Sequence, residues 1–394
     1  MYLRRLTLSD FRSYEQVELD FEPGITTLVG RNGQGKTNLV EAVGYLASLG
    51  SHRVATDHPL VRAGTEQAVI RAIVVRDGRD QGIELEINPS RANRARLGRG
   101  SPVRPRDVLG SLRTVLFAPE DLALVKGDPA GRRRFLDDLL VARQPRWSAA
   151  RADYDKILKQ RNALLKSGMK SGRAGGSAAA DAAVADSLPV WDTHLAATGA
   201  NLVYARLRLL GDLAPYVQQA YDQVSDSVSG ARIGYESALE GIAVDANCTA
   251  QVPDVDQITA AMYAGFAQLR SRERERGITL VGPHRDDLSL MLGELPAKGY
   301  ASHGESWSFA LALRLAAFQL LRADVATDPV LVLDDVFAEL DAGRRSRLAA
   351  LIEDCEQVLI TAAVRDDVPG RLAGRVYEVT RGAVVIPEGK VATS

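Results

Sequence analysis

Hydrophobic and polar positions alternate from the start of the chain. Leu6 and Leu8, then Val17, Leu19 and Phe21, keep the two-residue spacing of half-buried strands. Ile25 to Val29 is a short apolar run that stops at Gly30, which predicts a strand buried on both faces. After Thr37 the period changes. Leu39, Val40, Val43, Leu46 and Ala47 fall on one side of a helix. Further strands are expected at Val69 to Val75, Ile83 to Ile87 and Thr114 to Phe117. Glu84 and Glu86 alternate with Ile83, Leu85 and Ile87, so one face there is wet.

The texture turns helical near Pro119. Helices are expected over Gly131 to Ala142, Trp147 to Lys166, Leu188 to Val224 with a break at Pro215, and Val255 to Arg274. Inside this block Ser167 to Ser187 is rich in Gly, Ala and Ser with little to bury, which reads as a flexible loop. Strand pattern returns at Ile278 to Val281 and Leu288 to Leu292. A buried helix, Trp307 to Leu321, leads to a strand at Val330 to Leu333. Helix and strand then alternate: Arg344 to Cys355, Val358 to Thr361, Val376 to Val379 and Val384 to Ile386. The whole predicts one α/β domain split by a helical insertion. The divisions fall at residues 1–118, 119–276 and 277–394.

Composition narrows the class. Of 394 residues, 46% are hydrophobic and 25% charged, so the chain is globular rather than disordered. Trp307 to Leu321 is interrupted by Ser308, Arg314 and Gln319, so no membrane-spanning helix is expected. The N-terminus lacks an apolar signal core. Cys248 and Cys355 are far apart, which excludes a disulfide framework or zinc site and favours a cytoplasmic home. The net charge of −1 gives no bulk argument for nucleic acid. Its distribution is uneven, however. Arg91 to Arg106 holds six arginines and no acid, and Arg132, Arg133 and Arg134 form a second basic run. Each is either a solvated surface or a phosphate-tracking one.

Chemistry concentrates in three places. Gly30-Arg31-Asn32-Gly33-Gln34-Gly35-Lys36-Thr37 fits G-x-x-x-x-G-K-[ST] between an expected strand and an expected helix. Glycines let the backbone curl so that N–H groups converge on phosphate oxygens, and the helix adds its positive end. Lys36 can reach the β- and γ-phosphates, and the Thr37 hydroxyl can ligate Mg²⁺. ATP is the implied nucleotide. The second place is Val330 to Asp335, an apolar strand delivering two acids. Asp334 is suited to the Mg²⁺ shell, and Asp335 to orienting or deprotonating water. The third is Ser302-His303-Gly304-Glu305 at a helix start. By itself that is an N-cap. Beside a P-loop and a D-D strand it reads as a second phosphate-seeking terminus, useful when two copies face head to tail. Phe11 and Tyr14 are candidates either for base stacking or for the core.

These motifs together resemble the ATP-binding-cassette ATPases of the SMC type, and within them the bacterial recombination mediators. The features that carry the likeness span the chain: Asp10 to Tyr14, Gly33 to Asn38, Phe117 to Leu122, Arg132 to Asp137, Gly282 to Asp287, and Leu333 to Asp341. The resemblance implies a P-loop ATPase head with a short, mainly helical insertion arm. It implies ATP-dependent homodimerisation, slow ATP hydrolysis and binding to DNA, whether single-stranded, gapped or junction, or duplex. It also implies work in recombination, replication, gap repair and the SOS response, alongside RecO and RecR. By the same likeness Gly30 to Thr37 cradle ATP, Lys36 and Asp335 are catalytic, and Thr37 and Asp334 hold Mg²⁺. Ser302, Gly304 and Glu305 meet the partner copy's γ-phosphate, and Glu339-Leu340-Asp341 resembles the D-loop. Four positions depart from the pattern. His303 replaces a Gln, Asp335 replaces a Glu, Thr361-Ala362-Ala363 offers no switch histidine, and Pro119-Glu120-Asp121 stands where a Mg²⁺-sensing Gln is usual. A transporter's nucleotide-binding subunit, another SMC-like ATPase and a metabolite kinase are the competing readings. The 265 positions between Thr37 and Ser302 argue against the first.

Overall fold

The computed structural model describes residues 1–173, 178–225, 230–245, 252–325 and 327–386. Its first layer is an antiparallel sheet of β1 (Tyr2–Phe11), β2 (Tyr14–Asp20), β4 (Ala68–Arg76), β5 (Arg79–Ile87), β6 (Arg94–Leu97) and β7 (Pro102–Val103), in the order β2-β1-β4-β5-β6-β7. A second sheet runs β15-β14-β3-β13-β12-β8. It comprises β3 (Gly24–Val29), β8 (Thr114–Phe117), β12 (Val330–Asp334), β13 (Gln357–Ala362), β14 (Arg375–Thr380) and the antiparallel edge strand β15 (Ala383–Val385). Its other pairings are parallel. Parallel strands are covered on both faces, and the sequence obeys: every residue of β12 and β13 is buried.

The period-2 rule sorts those strands between two cores. Val330 and Val332 join the core shared with the first sheet and α1 (Lys36–Ser48). Leu331 and Leu333 join the core on the opposite side. That second core holds α8 (His303–Val325) and the helices of the insertion. These are α2 (Leu122–Lys126), α3 (Pro129–Arg143), α4 (Arg146–Arg173), α5 (Ala178–Val224) and α6 (Val255–Arg276). A small third sheet, ordered β11-β10-β9, joins β9 (Ala231–Glu236), β10 (Asp287–Leu292) and β11 (Leu295–Pro296). The short α7 (Ala297–Tyr300) leads from it to α8, and α9 (Ala342–Ile352) follows β12.

Several expectations are corrected. The loop expected at 167–187 is mostly helix, because α4 runs to Arg173 and α5 begins at Ala178. Residues 174–177 of that stretch lie outside the described residues. Alanine is the best helix former, and that property outweighs the lack of anything to bury. α5 continues through Pro189 and Pro215. Packing on α4 and α8 offsets the local cost of a proline, about 3 kcal/mol. Ile278 to Val281 is not a strand. The Thr279 N–H donates to Asn162 Oδ1 at 2.7 Å and its carbonyl accepts from Arg285, so side chains have taken its backbone bonds. β9 lies inside the block expected to be helical, where it pairs with β10.

The insertion is pinned by buried charge. Arg161, fully buried, donates to Asp192 at 2.8 Å, to Glu273 at 2.6 Å and to Thr279 Oγ1 at 2.8 Å. Its guanidinium also lies 4.6 Å from the Phe266 ring centroid. A second set joins α3 to the start of β10 and to α5. Arg132 is bidentate to Asp287 at 2.8 and 2.6 Å, and Arg206 of α5 is bidentate to Asp137 at 2.8 and 2.9 Å. The Tyr235 hydroxyl donates to Asp286 at 2.8 Å. Arg132 is therefore an internal tie, not part of a phosphate-tracking surface.

Candidate functional site

β3 carries the chain to the C-terminal edge of the parallel sheet, and the glycine-rich turn opens there into α1. Two glycines are required by space. A Cβ on Gly30 would lie 2.3 Å from the Val379 carbonyl oxygen. One on Gly35, already at φ 109°, would lie 2.7 Å from the Tyr14 hydroxyl. Gly35→Ala is accordingly expected to abolish nucleotide binding while the fold persists, read by equilibrium dialysis beside circular dichroism. Gly33 sits at φ 81°, and a Cβ there would meet nothing within 4 Å, so the mouth of the turn is open. The N–H groups of Gly33, Gly35, Lys36 and Thr37 enter no hydrogen bond among the described residues. They form a free donor cradle at a helix start.

Lys36 is buried and folds back on the turn. Its Nζ donates to the Gly30 carbonyl at 2.7 Å and to Asn32 Oδ1 at 3.5 Å, and lies 3.9 Å from Asp335 Oδ1. Arg31, Asn32 and Gly33 are exposed, and Gln34 is half-buried. Tyr14 donates to the Gly35 carbonyl at 3.2 Å. Both Tyr14 and Phe11 are fully buried, so the core reading holds for them and base stacking does not.

Parallel pairing brings the acids to the same edge. Asp334 stands opposite Thr361 in the β12–β13 ladder. Its Oδ1 accepts from Thr361 Oγ1 at 2.6 Å and from Thr37 Oγ1 at 3.1 Å. Burial pushes the Asp334 carboxyl up to about 6, the charges of Asp335 and Glu120 add to this, and the two hydroxyls pull against it. Asp335 adopts φ 52°, a left-handed conformation rare outside glycine. The Thr361 hydroxyl accepts its N–H at 2.9 Å. The buried Asp335 Oδ1 has no hydrogen-bond partner among the described residues.

A raised carboxyl has a definite consequence for stability. The unfolded chain loses this proton near pH 4 and the folded chain near pH 6, so Asp334 subtracts stability as pH rises between them. The two-unit gap is worth about 3 kcal/mol. Urea unfolding of metal-free protein from pH 4 to 7 should show that loss in the native chain and not in Asp334→Asn.

Two functional candidates lie in segments the sequence singled out without giving either residue a role. Thr361 bridges both acids, a role that only strand register reveals. Glu120 follows β8, whose Phe117 pairs with Leu333, so a third carboxylate reaches the edge where Asp334 ends β12. Asp121 beside it is occupied structurally, accepting from Arg314 at 2.5 Å and from the Ala118 N–H at 3.0 Å.

Ser302 and Glu305 form a reciprocal cap on α8. The Ser302 N–H donates to Glu305 Oε2 at 2.9 Å, and the Glu305 N–H to Ser302 Oγ at 3.2 Å. The cap holds the Glu305 carboxyl below the usual carboxylate range. Ser302 and His303 are exposed, and Lys126 Nζ lies 3.4 Å from His303 Nδ1. A Cβ on Gly304 would sit 2.9 Å from the Arg344 guanidinium, which also bonds Asp341 at 2.7 Å and Ser308 at 3.1 Å. No hydrogen bond or ion pair among the described residues joins this group to the glycine-rich turn or to Asp334 and Asp335. One chain thus carries two helix starts with no bond joining them among the described residues.

The donor set fits a nucleotide with a divalent cation. A cradle of free N–H groups, a carboxylate oxygen without a hydrogen bond among the described residues and a buried acid held by two hydroxyls suit phosphate oxygens and Mg²⁺. No cluster of three or more His, Cys, Asp or Glu able to hold a metal occurs among the described residues. Mg²⁺ ordinarily binds through one or two carboxylates completed by substrate phosphates.

The arginine-rich segment is a hairpin of β6 and β7 at the end of the first sheet. Arg94 and Arg96 stand opposite Glu86 and Glu84 on β5. Arg104 is paired with Asp107, while Arg94, Arg96 and Arg99 are exposed and make no ion pair among the described residues. No helix of the described residues is long and apolar enough to cross a membrane.

Residues 2–381 match the family described as RecF/RecN/SMC N terminal domain. The DNA replication and repair protein RecF of Streptomyces avermitilis is 56% identical over 98% of this chain and 99% of its own. The protein of the same name from Kineococcus radiotolerans is 58% identical, with coverage of 98% and 99%. A solved structure described as the recombination mediator protein RecF-ATP in the RecFOR pathway superposes with a TM-score of 0.85 at 26% identity, covering 97% of this chain and 96% of that one.

Proposed function

The chain belongs to the RecF/RecN/SMC family, and from that premise we propose that it is an ATP-dependent DNA-binding switch of recombination, replication and gap repair. The Asp335 oxygen that faces Lys36 at 3.9 Å without a hydrogen bond among the described residues, together with the free N–H groups of the glycine-rich turn, carries this reading. ATP lies along Gly30 to Thr37. Lys36 leaves its carbonyl partners for the terminal phosphates, and Asp335 orients the attacking water and takes its proton. Thr37 and Asp334 hold Mg²⁺, which when bound neutralises charge on the phosphates. Asp335 is one methylene shorter than a glutamate and less able to reach the water, so turnover is slow.

Ser302, Gly304 and Glu305 complete the site of a second copy, so ATP closes a homodimer and hydrolysis reopens it. That no hydrogen bond or ion pair among the described residues joins the cap to the chain's own turn supports this. The head is formed by residues 1–118 and 277–394, and the insertion by 119–276. Arg94, Arg96 and Arg99, free of ion pairs, offer a surface for gapped, junction, single-stranded or duplex DNA. The RecFOR pathway named for that RecF-ATP structure supports RecO and RecR as partners; a role in the SOS response and a cytoplasmic location belong to the same proposal.

Analytical ultracentrifugation with ATP, ADP and no nucleotide, with and without gapped DNA, tests the mechanism. Dimers are expected with ATP alone. Monomers under every condition would refute the switch. Replacing Arg94, Arg96 and Arg99 by Gln should lower the salt slope of duplex binding by about 0.9 per lost phosphate contact. An unchanged slope would place DNA elsewhere.

A further inference from the structure

The first turn of α3 lies at a cavity of about 180 Å³ where the insertion meets the head. Arg133, Arg134, Arg151 and Arg206 line it, against only Asp137 and Asp155. Most of these charges are engaged. Arg206 holds both oxygens of Asp137, with Arg151 also 3.5 Å from that carboxylate. Arg134 donates to the Ser51 carbonyl at 2.7 Å and lies 3.4 Å from Asp138.

Arg133 is the exception. Among the described residues its one side-chain hydrogen bond goes to the Asp286 backbone carbonyl at 2.8 Å. The carboxylates whose charge reaches it are Asp287, Asp286 and Asp137. Asp287 is taken by Arg132, Asp286 by Tyr235 and Ser237, and Asp137 by Arg206. Arg133 makes no ion pair among the described residues. Burial, with the charge of Arg206, holds its pKa below the ordinary arginine range. A half-buried cation beside another cation, with nearby carboxylates but none in ion-pair contact with it among the described residues, gains when an anion arrives. Ala130 adds the positive end of α3 at the same cavity. The helix has no acid in its first turn, and its N-cap, Asp128, makes no capping bond and does not line the cavity.

We propose that this cavity is an oxyanion site that accepts one phosphate group, with Arg133 as the principal donor. The volume is below the roughly 300 Å³ at which pockets for larger ligands begin, so a single group enters rather than a whole nucleotide. Its source is either the backbone of DNA or free inorganic phosphate. The DNA source rests on the function proposed above, and the cavity itself does not.

Full-length protein, Arg133→Gln and Arg133→Lys separate these sources in two measurements. The first is thermal unfolding with and without inorganic phosphate at constant ionic strength. The second is the salt dependence of binding to a gapped duplex. If DNA is the source, Arg133→Gln lowers the log–log slope by about 0.9 and Arg133→Lys restores it. With free phosphate as the occupant, the anion raises the melting temperature of the native chain and not of Arg133→Gln. Equal slopes together with equal phosphate responses would overturn the site. If the native chain binds no DNA, the function proposed above fails, and the phosphate measurement alone decides the cavity. Should Arg133→Gln misfold, Ala130→Asp supplies the same two readouts. It sets a carboxylate at the cavity on an exposed first-turn position where acids favour helices.

Discussion

Asp335→Asn is expected to leave ATP bound and unhydrolysed, with turnover down at least about a hundredfold, the lower end for loss of a general base. The substitution keeps the shape of the side chain and its left-handed backbone, which asparagine tolerates nearly as well as aspartate. It removes a negative charge that lies 3.9 Å from Lys36 and that adds to the rise burial imposes on the Asp334 carboxyl. Mg²⁺ and phosphate therefore bind at least as well as before, while the water loses its base. The expected signature is a dimer that persists after ATP addition, seen by sedimentation, with phosphate release near background. Normal turnover in this variant would remove Asp335 from the role of base. Lys36→Arg makes a contrasting pair. The guanidinium is too broad for the space bounded by the Gly30 carbonyl, so nucleotide binding itself should fall.

The largest effect on stability is expected at Arg161. Arg161→Met fills most of the volume but abandons Asp192 and Glu273, both buried, without their shared cation. Breaking a buried pair from one side costs about 3 to 5 kcal/mol, because the remaining charge is uncompensated. Asp192 keeps Arg270 at 2.6 Å, so Glu273, which has no second cation among the described residues, carries most of the penalty. Adding Glu273→Gln to Arg161→Met should recover part of the loss in urea unfolding. No recovery would mean that the arginine acts through packing on Phe266 rather than through charge.

The parallel sheet and its site were legible because the physics there is local. An apolar run ending in glycines, and another ending in two aspartates, each announce a strand delivering groups to one edge. Thr361 was not legible, since nothing in Ile360-Thr361-Ala362 indicates a hydroxyl shared between Asp334 and the Asp335 N–H. That role exists only once β12 and β13 pair in register. The basic run Arg132 to Arg134 misled for a related reason. Charge clustering reads as surface, yet Arg132 is buried on Asp287, 155 positions away. Local composition also misjudged Ser167 to Ser187, where alanine continued two helices through a stretch that lacked core residues.

The order of the second sheet has a consequence for synthesis. β3, which ends at the glycine-rich turn, lies between β13 and β14, strands made more than three hundred residues later. A ribosome therefore emits the turn long before anything can fix its shape. Contacts of such sequence separation form slowly. Nucleotide capture is a late event in the life of the nascent chain, and truncated products released before β13 are inert rather than half-active.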